Sequence, residues 1–332
     1  MKKLAIGIDI GGINSAIGLT DDEGNVYAEQ VVSTRQFPYV GDYPAYVSAL
    51  CDAIRTTVES VSSEFELAGI GIGAPNANYH AGTIEAPANL WKFADDDTDR
   101  DESRRIFHLA DDIRRRFPDT PVYVTNDANA ATIGEMVYGN AKGMKDFVMI
   151  TLGTGLGSGF VSNGELIYGH DGFAGEFGHI IVERNGRQCG CGRRGCLETY
   201  VSATGIKRTA FELMASMTQP SELRGIPFDQ FDSAMISAAY DKGDPIAREA
   251  FRVTGEMLGR ALADMVVITS PEAIFLFGGL AKAGERLFEP VRRAMDENML
   301  FVFKDKVKLL PSGIDGKNAA ILGASALVWQ KI

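Results

Sequence analysis

Residues 146–169, DFVMITLGTGLGSGFVSNGELIYG, decide the fold of this chain. An apolar run predicts a strand, a glycine-rich turn follows, and a second strand ends at the hairpin turn Asn163-Gly164. The N-terminal segment has the same plan, with an Ile-rich strand at 3–8 before the turn DIGGIN (9–14). Two such units predict a duplicated α/β architecture with a cleft between the copies.

The bulk composition limits the classes of partner. A chain of 332 residues is long for one core and sufficient for two domains. Its net charge of −11 argues against nucleic acid, because phosphate neutralisation needs an excess of Lys and Arg on one face. It has no run of about 18 apolar residues, so we expect no membrane span. The first apolar run ends too early for a signal peptide, and we expect a cytoplasmic protein with reduced thiols.

The two glycine turns, DIGG (9–12) and GTGLGSG (153–159), are candidate phosphate-binding loops. Glycine lets consecutive backbone N–H groups turn toward one point and form a cradle for phosphate oxygens. For either loop alone, a tight hairpin turn is the alternative. Asp9 in the first loop suits Mg²⁺ bound through water, and Thr154 in the second suits a polyphosphate held from both sides.

The segment NDANAA (126–131) starts a predicted helix at Asp127, directly after a strand. An aspartate there can simply cap the helix. At the mouth of a cleft it can instead accept a proton from an attacking hydroxyl group. Aspartate is a weak base, but phosphoryl transfer tolerates this because positioning and charge stabilisation carry most of the catalysis.

Three of the four cysteines lie together as Cys189-x-Cys191-x4-Cys196, shortly after His179. Zn²⁺ takes four nitrogen or sulfur ligands in a tetrahedron, and the interleaved glycines let a short segment wrap one ion. A disulfide leaves one of the three thiols unpaired and fits a reducing compartment poorly, whereas free thiols remain an alternative. The pattern predicts a structural zinc site.

Two carboxylates, Glu176 and Glu198, flank this cluster in sequence. Carboxylates accept hydrogen bonds from vicinal hydroxyl groups, which is one way in which proteins hold sugars. Two ordinary surface glutamates are the alternative interpretation.

Together these segments resemble the ROK family, which contains bacterial sugar kinases and sugar-responsive repressors. The motifs are GIDIGG near the start, NDANAA, LGTGLGSG (152–159), EFGH (176–179), CGCGRRGCLE (189–198) and GG (278–279). The linked EFGH and cysteine motifs are highly specific, whereas the glycine loops are shared with the wider actin-like ATPase group.

The resemblance implies a two-domain actin-like ATPase fold, of the duplicated ribonuclease-H-like type, that closes on ATP and a sugar. Asp127 would be the catalytic base. The sugar-binding residues would be Asn89, Asn126, Glu176, His179 and Glu198. The nucleotide-binding residues would be Asp9, Gly11, Gly12, Gly153, Thr154, Gly155, Gly157, Gly278 and Gly279. The zinc ligands would be His179, Cys189, Cys191 and Cys196, and His179 would offer its second nitrogen to the sugar.

We therefore expect a small domain of residues 1–125 plus a C-terminal helix at about 317–332, and a large domain of residues 126–316 containing the zinc site. The expected activity is transfer of the γ-phosphate of ATP, with Mg²⁺, to the 6-hydroxyl of a hexose, with glucose as the first choice. Kinases for N-acetylmannosamine, N-acetylglucosamine, fructose or allose are the alternatives. The resemblance also implies a homodimer.

A sugar-responsive repressor is the alternative from another class. Family repressors carry a helix-turn-helix before the first glycine loop, and here that loop arrives by residue 11. Three departures from the family pattern are Ile13 where threonine is common, NLW at 89–91 without the usual proline, and the acidic segment at 95–105. The first removes a phosphate donor from the loop, and the other two leave the identity of the sugar open.

Overall fold

The computed structural model describes residues 1–314, 316 and 318–332. The chain divides into two compact units. The first unit comprises Met1–Met144, Leu166–Ala174 and Gly313–Ile332, and the second comprises Lys145–Glu165 and Gly175–Ser312. Among the described residues, every helix is too short or too polar to cross a membrane.

The elements of the first unit are as follows. Its main strands are β1 (Lys2–Ile10), β2 (Ser15–Thr20), β3 (Val26–Val32), β4 (Phe65–Gly73) and β8 (Val122–Thr125), and a small antiparallel sheet contains β5 (Ala77–Asn78), β6 (Thr83–Glu85) and β7 (Ile106–Phe107). Its helices are α1 (Tyr43–Glu59), α2 (Leu109–Arg114), α3 (Asp127–Tyr138) and α8 (Ala319–Trp329).

The second unit has one sheet and four helices among the described residues. The strands are β9 (Phe147–Leu152), β10 (Leu156–Ser162), β11 (Glu165–Leu166, whose last residue belongs to the first unit), β12 (Ala273–Phe277) and β13 (Lys308–Pro311). The helices are α4 (Ala203–Ser216), α5 (Ser233–Asp241), α6 (Pro245–Thr269) and α7 (Glu285–Asn298). On α6, Gly259 lets α7 approach so closely that a Cβ atom would stand 2.4 Å from the Val291 carbonyl oxygen.

The two five-stranded sheets share one plan. Their strand orders are β3-β2-β1-β4-β8 and β11-β10-β9-β12-β13. In each, the first strand of the unit pairs antiparallel with the next strand and parallel with a later one, as β1 does with β2 and β4 and as β9 does with β10 and β12. The duplicated α/β architecture predicted from the glycine turns is therefore confirmed.

A row of glycines crosses the first sheet and receives α8. Gly7 pairs with Gly18 on one side and with Gly71 on the other. Alternate residues of the same strands are isoleucines that point to the opposite face and form the core with α1. A Cβ atom on Gly71 would stand 2.0 Å from the Ala324 carbonyl oxygen of α8. The missing side chains thus let the helix backbone rest directly on the sheet.

We expect Gly71→Ala to lower the free energy of unfolding by about 2 kcal/mol or more, because the added methyl group must push α8 off the sheet. Gly41→Ala is the matched control, since a Cβ atom on Gly41 meets nothing within 4 Å. Urea unfolding of both variants measures the difference. Equal stability of the two variants would contradict the close packing of α8.

The first compact unit extends beyond the expected boundary at residue 125. It continues to Met144, because α3 packs against α8: a Cβ atom on Gly134 would lie 2.8 Å from the Gly323 Cα. It also includes Leu166–Ala174, which the expected division gave to the large domain. The C-terminal helix begins at Ala319, and the expected start at Lys317 lies outside the described residues.

Candidate functional site

The first glycine turn joins β1 to β2. The Gly11 N–H donates to the Asn14 carbonyl oxygen at 3.0 Å, which closes the turn, and residues 12–14 are exposed. Ile13 is 66% exposed, which is unusual for isoleucine, and it faces solvent at the position where threonine is common in the family. The turn therefore presents backbone rather than a hydroxyl group.

Asp9 and Asp127 approach each other within the first unit. Asp9 lies near the end of β1, opposite Gly73 of β4, and a Cβ atom on Gly73 would be 3.8 Å from the Asp127 Cα. Burial raises the pKa of Asp9 to about 6, and the negative charge of Asp127 adds to this shift. Two carboxylates held near each other suit a divalent cation with oxygen ligands.

Asn126, rather than Asp127, caps helix α3. The Asn126 side-chain oxygen accepts a hydrogen bond from the Asn129 N–H at 2.7 Å. Asp127 is the first helical residue, and its carboxylate accepts from the adjacent Ala128 N–H at 2.8 Å. The capping interpretation of Asp127 is therefore wrong, because the cap falls one residue earlier.

Asp127 is exposed to solvent, although many protein atoms surround its carboxylate. The residue is exposed, yet the many protein atoms around its carboxylate reduce hydration and raise its pKa, against the lowering effect of the Ala128 N–H. A carboxylate in this position is a stronger base than an ordinary aspartate. Because Asp127 is exposed, a bound ligand can contact its carboxylate, and the carboxylate can accept a proton from a hydroxyl group of that ligand.

Asn89 lies beside the first glycine turn. A Cβ atom on Gly12 would stand 3.2 Å from the Asn89 Cβ, so Gly12 makes room for this residue. Asn89 is exposed, whereas Trp91 two residues later is fully buried against Tyr43 and Phe107. The aromatic cluster anchors the segment and leaves the asparagine amide available at the surface.

In the second unit, the glycine turn between β9 and β10 contains Gly153, Thr154 and Gly155. The Gly153 carbonyl oxygen accepts from the Ala203 N–H at 2.9 Å, which ties the turn to the start of α4. Thr154 is exposed. Gly157, which we expected in this loop, lies instead within β10 opposite Thr151, because strand pairing resumes at Leu156.

Gly278 and Gly279 follow β12 and lie at the end of the neighbouring strand β9. Gly278 has a φ of +100°, and a Cβ atom there would stand 2.7 Å from the Leu152 carbonyl oxygen. The Leu280 N–H donates to that same oxygen at 3.1 Å. The two glycine turns of the second unit thus meet at the carboxyl ends of two adjacent parallel strands, where α/β proteins commonly bind ligands.

Glu198 reaches the second glycine turn. Its carboxylate accepts from the Leu156 N–H at 3.1 Å, and a Cβ atom on Gly155 would stand 2.2 Å from the same carboxylate. The absence of a side chain at Gly155 therefore sets where Glu198 lies.

We expect Gly155→Ala to displace the Glu198 carboxylate with little loss of stability, because only a side-chain tip must move. If Glu198 binds sugar hydroxyl groups, as the resemblance implies, the KM for the sugar should rise about tenfold. Gly41→Ala, outside the candidate site, is the control, since a Cβ atom there meets nothing within 4 Å. Steady-state kinetics with varied sugar measures both. A sugar KM equal in the two variants would contradict the role of this contact.

The predicted metal ligands converge. The ligand atoms of His179, Cys189, Cys191 and Cys196 all lie within 4.8 Å of one another. The sulfur atoms of Cys191 and Cys196 are 3.6 Å apart, and the Cys189 sulfur lies 3.7 Å from the Nδ1 of His179. Zn–S bonds of about 2.3 Å in a tetrahedron separate two sulfurs by about 3.8 Å. The donor set and its spacing fit a tetrahedral metal ion.

The thiols of this cluster influence one another. Burial raises the pKa of the Cys189 thiol to about 12. At Cys191, burial is outweighed by hydrogen bonds from the Arg193 backbone N–H and the neighbouring thiols, which lower the pKa to about 7. A thiolate is the form that binds metal.

The two ring nitrogens of His179 face different groups. Nδ1 faces Cys189, whereas Nε2 lies 3.9 Å from the Glu176 carboxylate. Both residues belong to the turn EFGH, in which Phe177–His179 form a short 3-10 helix. The geometry leaves Nε2 directed away from the sulfur cluster, as the expected double role of His179 requires.

The structure thus groups the predicted site residues within each unit. In the first unit these are Asp9, Gly11, Gly12, Asn89, Asn126 and Asp127, and in the second they are Gly153, Thr154, Gly155, Gly157, Glu176, His179, Cys189, Cys191, Cys196, Glu198, Gly278 and Gly279. Sequence reasoning missed Gly73, which makes room for α3 beside Asp9. Its only signal is its place at the end of the strand segment GIGIG.

Comparisons with known proteins find the same family that the sequence motifs indicate. The model of the ROK family matches residues 5–331. A glucokinase from Streptomyces coelicolor is 35% identical over 296 residues, which are 88% of this chain and 86% of the relative. A xylose repressor from Bacillus spizizenii is 29% identical over 329 residues, which are 98% of this chain and 77% of the repressor.

A solved structure shares the same fold over almost the whole chain. It is a ROK family glucokinase from Streptomyces griseus in complex with glucose and AMPPNP, with a TM-score of 0.77 and 31% identity over 98% of this chain and 99% of that chain. The family match covers nearly all residues, and the glucokinase from Streptomyces coelicolor exceeds 30% identity over most of both chains. This chain therefore belongs to the ROK family.

Proposed function

We propose that this protein is an ATP-dependent hexose kinase that transfers the γ-phosphate of ATP to the 6-hydroxyl of glucose. The similarity to a glucokinase from Streptomyces coelicolor and to a glucokinase structure containing glucose and AMPPNP supports this class of reaction.

The proposal depends mainly on two properties of Asp127, which are that it does not cap the helix and that its pKa is raised. Because Asn126 caps the helix, the Asp127 carboxylate is not needed for that purpose, and its raised pKa makes it a better base. It accepts the proton of the sugar hydroxyl as that oxygen attacks the γ-phosphorus of ATP, while the bond from that phosphorus to the bridging oxygen breaks and ADP leaves. The helix N-terminus favours the ionised carboxylate before the reaction, which opposes the effect of crowding.

The glycine turns are proposed to hold the nucleotide. Gly11, Gly12, Gly153, Thr154 and Gly155 would contact phosphates, and Gly278 with Gly279 would lie by the adenosine. Gly157 would contribute only through its strand backbone. Asp9 would hold Mg²⁺ through water, and the ion, when bound, neutralises charge on the transferred phosphate. Burial and the charge of Asp127 raise the pKa of Asp9, and a bound cation would offset this by favouring the ionised carboxylate.

The sugar is proposed to bind through five side chains. Asn89, Asn126, Glu176, His179 and Glu198 offer amide, imidazole and carboxylate groups that suit hydroxyl groups. Glu176 lies near His179, and Glu198 accepts from the Leu156 N–H. We propose that the cluster of His179, Cys189, Cys191 and Cys196 binds structural Zn²⁺. When bound, the ion crosslinks the segment that carries these carboxylates.

We further propose that the protein acts as a homodimer in the cytoplasm. Reduced thiols, which the metal site requires, persist in that compartment.

A panel of sugars with ATP tests the proposed function. The candidates are glucose, N-acetylmannosamine, N-acetylglucosamine, fructose and allose, and ADP release gives kcat/KM for each. We expect the highest value for glucose. A higher value for another sugar would correct the substrate, and sugar binding without ADP release from any of them would favour a sensor like the repressor relatives.

A further inference from the structure

Glu176 is the central residue of a tight three-residue turn. Its φ of −75° and ψ of 50° lie in the inverse γ-turn region. The Phe177 N–H donates across it to the Gly175 carbonyl oxygen at 2.8 Å. The inverse γ-turn is common in proteins, and further hydrogen bonds to its two end groups add to its stability.

Ser158 of β10 supplies that support. Its hydroxyl donates to the Gly175 carbonyl oxygen and accepts from the Phe177 N–H at 3.2 Å. The residue is only 2% exposed, so both hydrogen bonds are shielded from water. One side-chain oxygen therefore binds the two backbone groups that define the turn at Glu176.

The rest of the turn packs on the same strand. A Cβ atom on Gly178 would stand 2.2 Å from the Leu156 carbonyl oxygen, and the rings of Phe177 and Phe160 meet edge to face at 6.3 Å. These contacts hold the residues after Glu176 against β10. The His179 N–H also donates to the Glu176 carbonyl oxygen at 3.0 Å, and the Ser158 hydroxyl binds the backbone groups just before and just after Glu176.

We propose that Ser158 is a positioning residue that holds the Glu176 backbone in the conformation that directs its carboxylate to the sugar. This role rests on the proposed function, because it assumes that Glu176 binds sugar hydroxyl groups. Without the hydroxyl, the turn relaxes toward the broader extended or helical regions and the carboxylate moves with it.

The test is steady-state kinetics and sugar-binding calorimetry of Ser158→Ala. We expect the KM and the dissociation constant for glucose to rise about tenfold, as for the loss of a buried hydrogen-bonding group, while the KM for ATP stays within about twofold. Ser158→Gly, which also lacks the hydroxyl, should show the same selective rise. Ser162→Ala on the same strand is the control, since the Ser162 hydroxyl donates to Asp146 instead.

The outcomes separate this role from the proposed function. A glucose constant within about twofold of wild type in both Ser158 variants would overturn the positioning role alone, as would equal rises for glucose and ATP, which indicate general loosening. A wild-type protein that neither binds nor phosphorylates any sugar of the panel would overturn the proposed function, and the role of Ser158 with it.

Discussion

Asp127→Asn should lower kcat by about a thousandfold or more while glucose affinity stays within a few-fold of wild type. The amide keeps the size of the side chain and can still accept from the Ala128 N–H, so the start of α3 is preserved. It cannot take the proton of the attacking hydroxyl. Because the base acts only during the reaction, the loss falls on kcat rather than on sugar binding.

Asp119→Asn is the matched control, because Asp119 is an exposed aspartate of the same unit outside the site. It should leave kcat unchanged. Single-turnover measurements with ATP and glucose, together with calorimetry of glucose binding, give both quantities. Near-normal turnover of Asp127→Asn would remove the proposed base.

Cys191→Ser should release the metal ion and destabilise the second unit. Wild-type protein should contain about one zinc ion per chain, and the variant should contain almost none, because a serine hydroxyl is a poor replacement for a thiolate. Cys191 is exposed, so the substitution costs little packing by itself. The glucose KM should rise as well, since the same segment carries His179 and Glu198.

Cys51→Ser serves as the control for this variant. Cys51 is fully buried outside the cluster, so its replacement should lower stability through packing and leave the zinc content unchanged. Metal analysis by mass spectrometry and thermal unfolding distinguish the two effects. Purified wild-type protein without zinc, or Cys191→Ser with its full zinc content, would contradict the metal site.

The duplicated architecture could be predicted because its signals are local. Apolar runs, glycine turns and the Asn163-Gly164 hairpin all act within a few residues, and the structure repeats them in two sheets of the same strand order. The cysteine cluster was also predictable, because its ligands lie within 18 residues of one another. Closely spaced cysteine and histidine ligands are typical of tetrahedral zinc sites.

The boundary between the units could not be predicted in the same way. Helix α3 belongs with the first unit because it packs on α8, which lies about half the chain away in sequence. That packing depends on the close approach of Gly134 in α3 and Gly323 in α8, and neither glycine indicates its partner within its own helix. No periodicity within α3 indicates which partner it will find.

The roles of single residues could not be predicted from the sequence either, because they depend on backbone angles and on contacts between distant segments. Asparagine and aspartate both cap helices well, and only the backbone angles show that Asn126 takes this role and releases Asp127. Ser158 is separated by 17 and 19 residues from the two groups that it binds, and its only sequence signal is a serine within a run of glycines. Contacts of this kind become visible only once the strand and the turn are placed together.

Phosphorus NMR of ATP and glucose incubated with the wild-type protein tests the central claim most directly. The account predicts glucose 6-phosphate and ADP in equal amounts, formed about a thousandfold more slowly, or slower still, when Asp127→Asn replaces the wild type. Inorganic phosphate in place of the sugar phosphate, or ATP left intact in the presence of glucose and every other sugar of the panel, would contradict it.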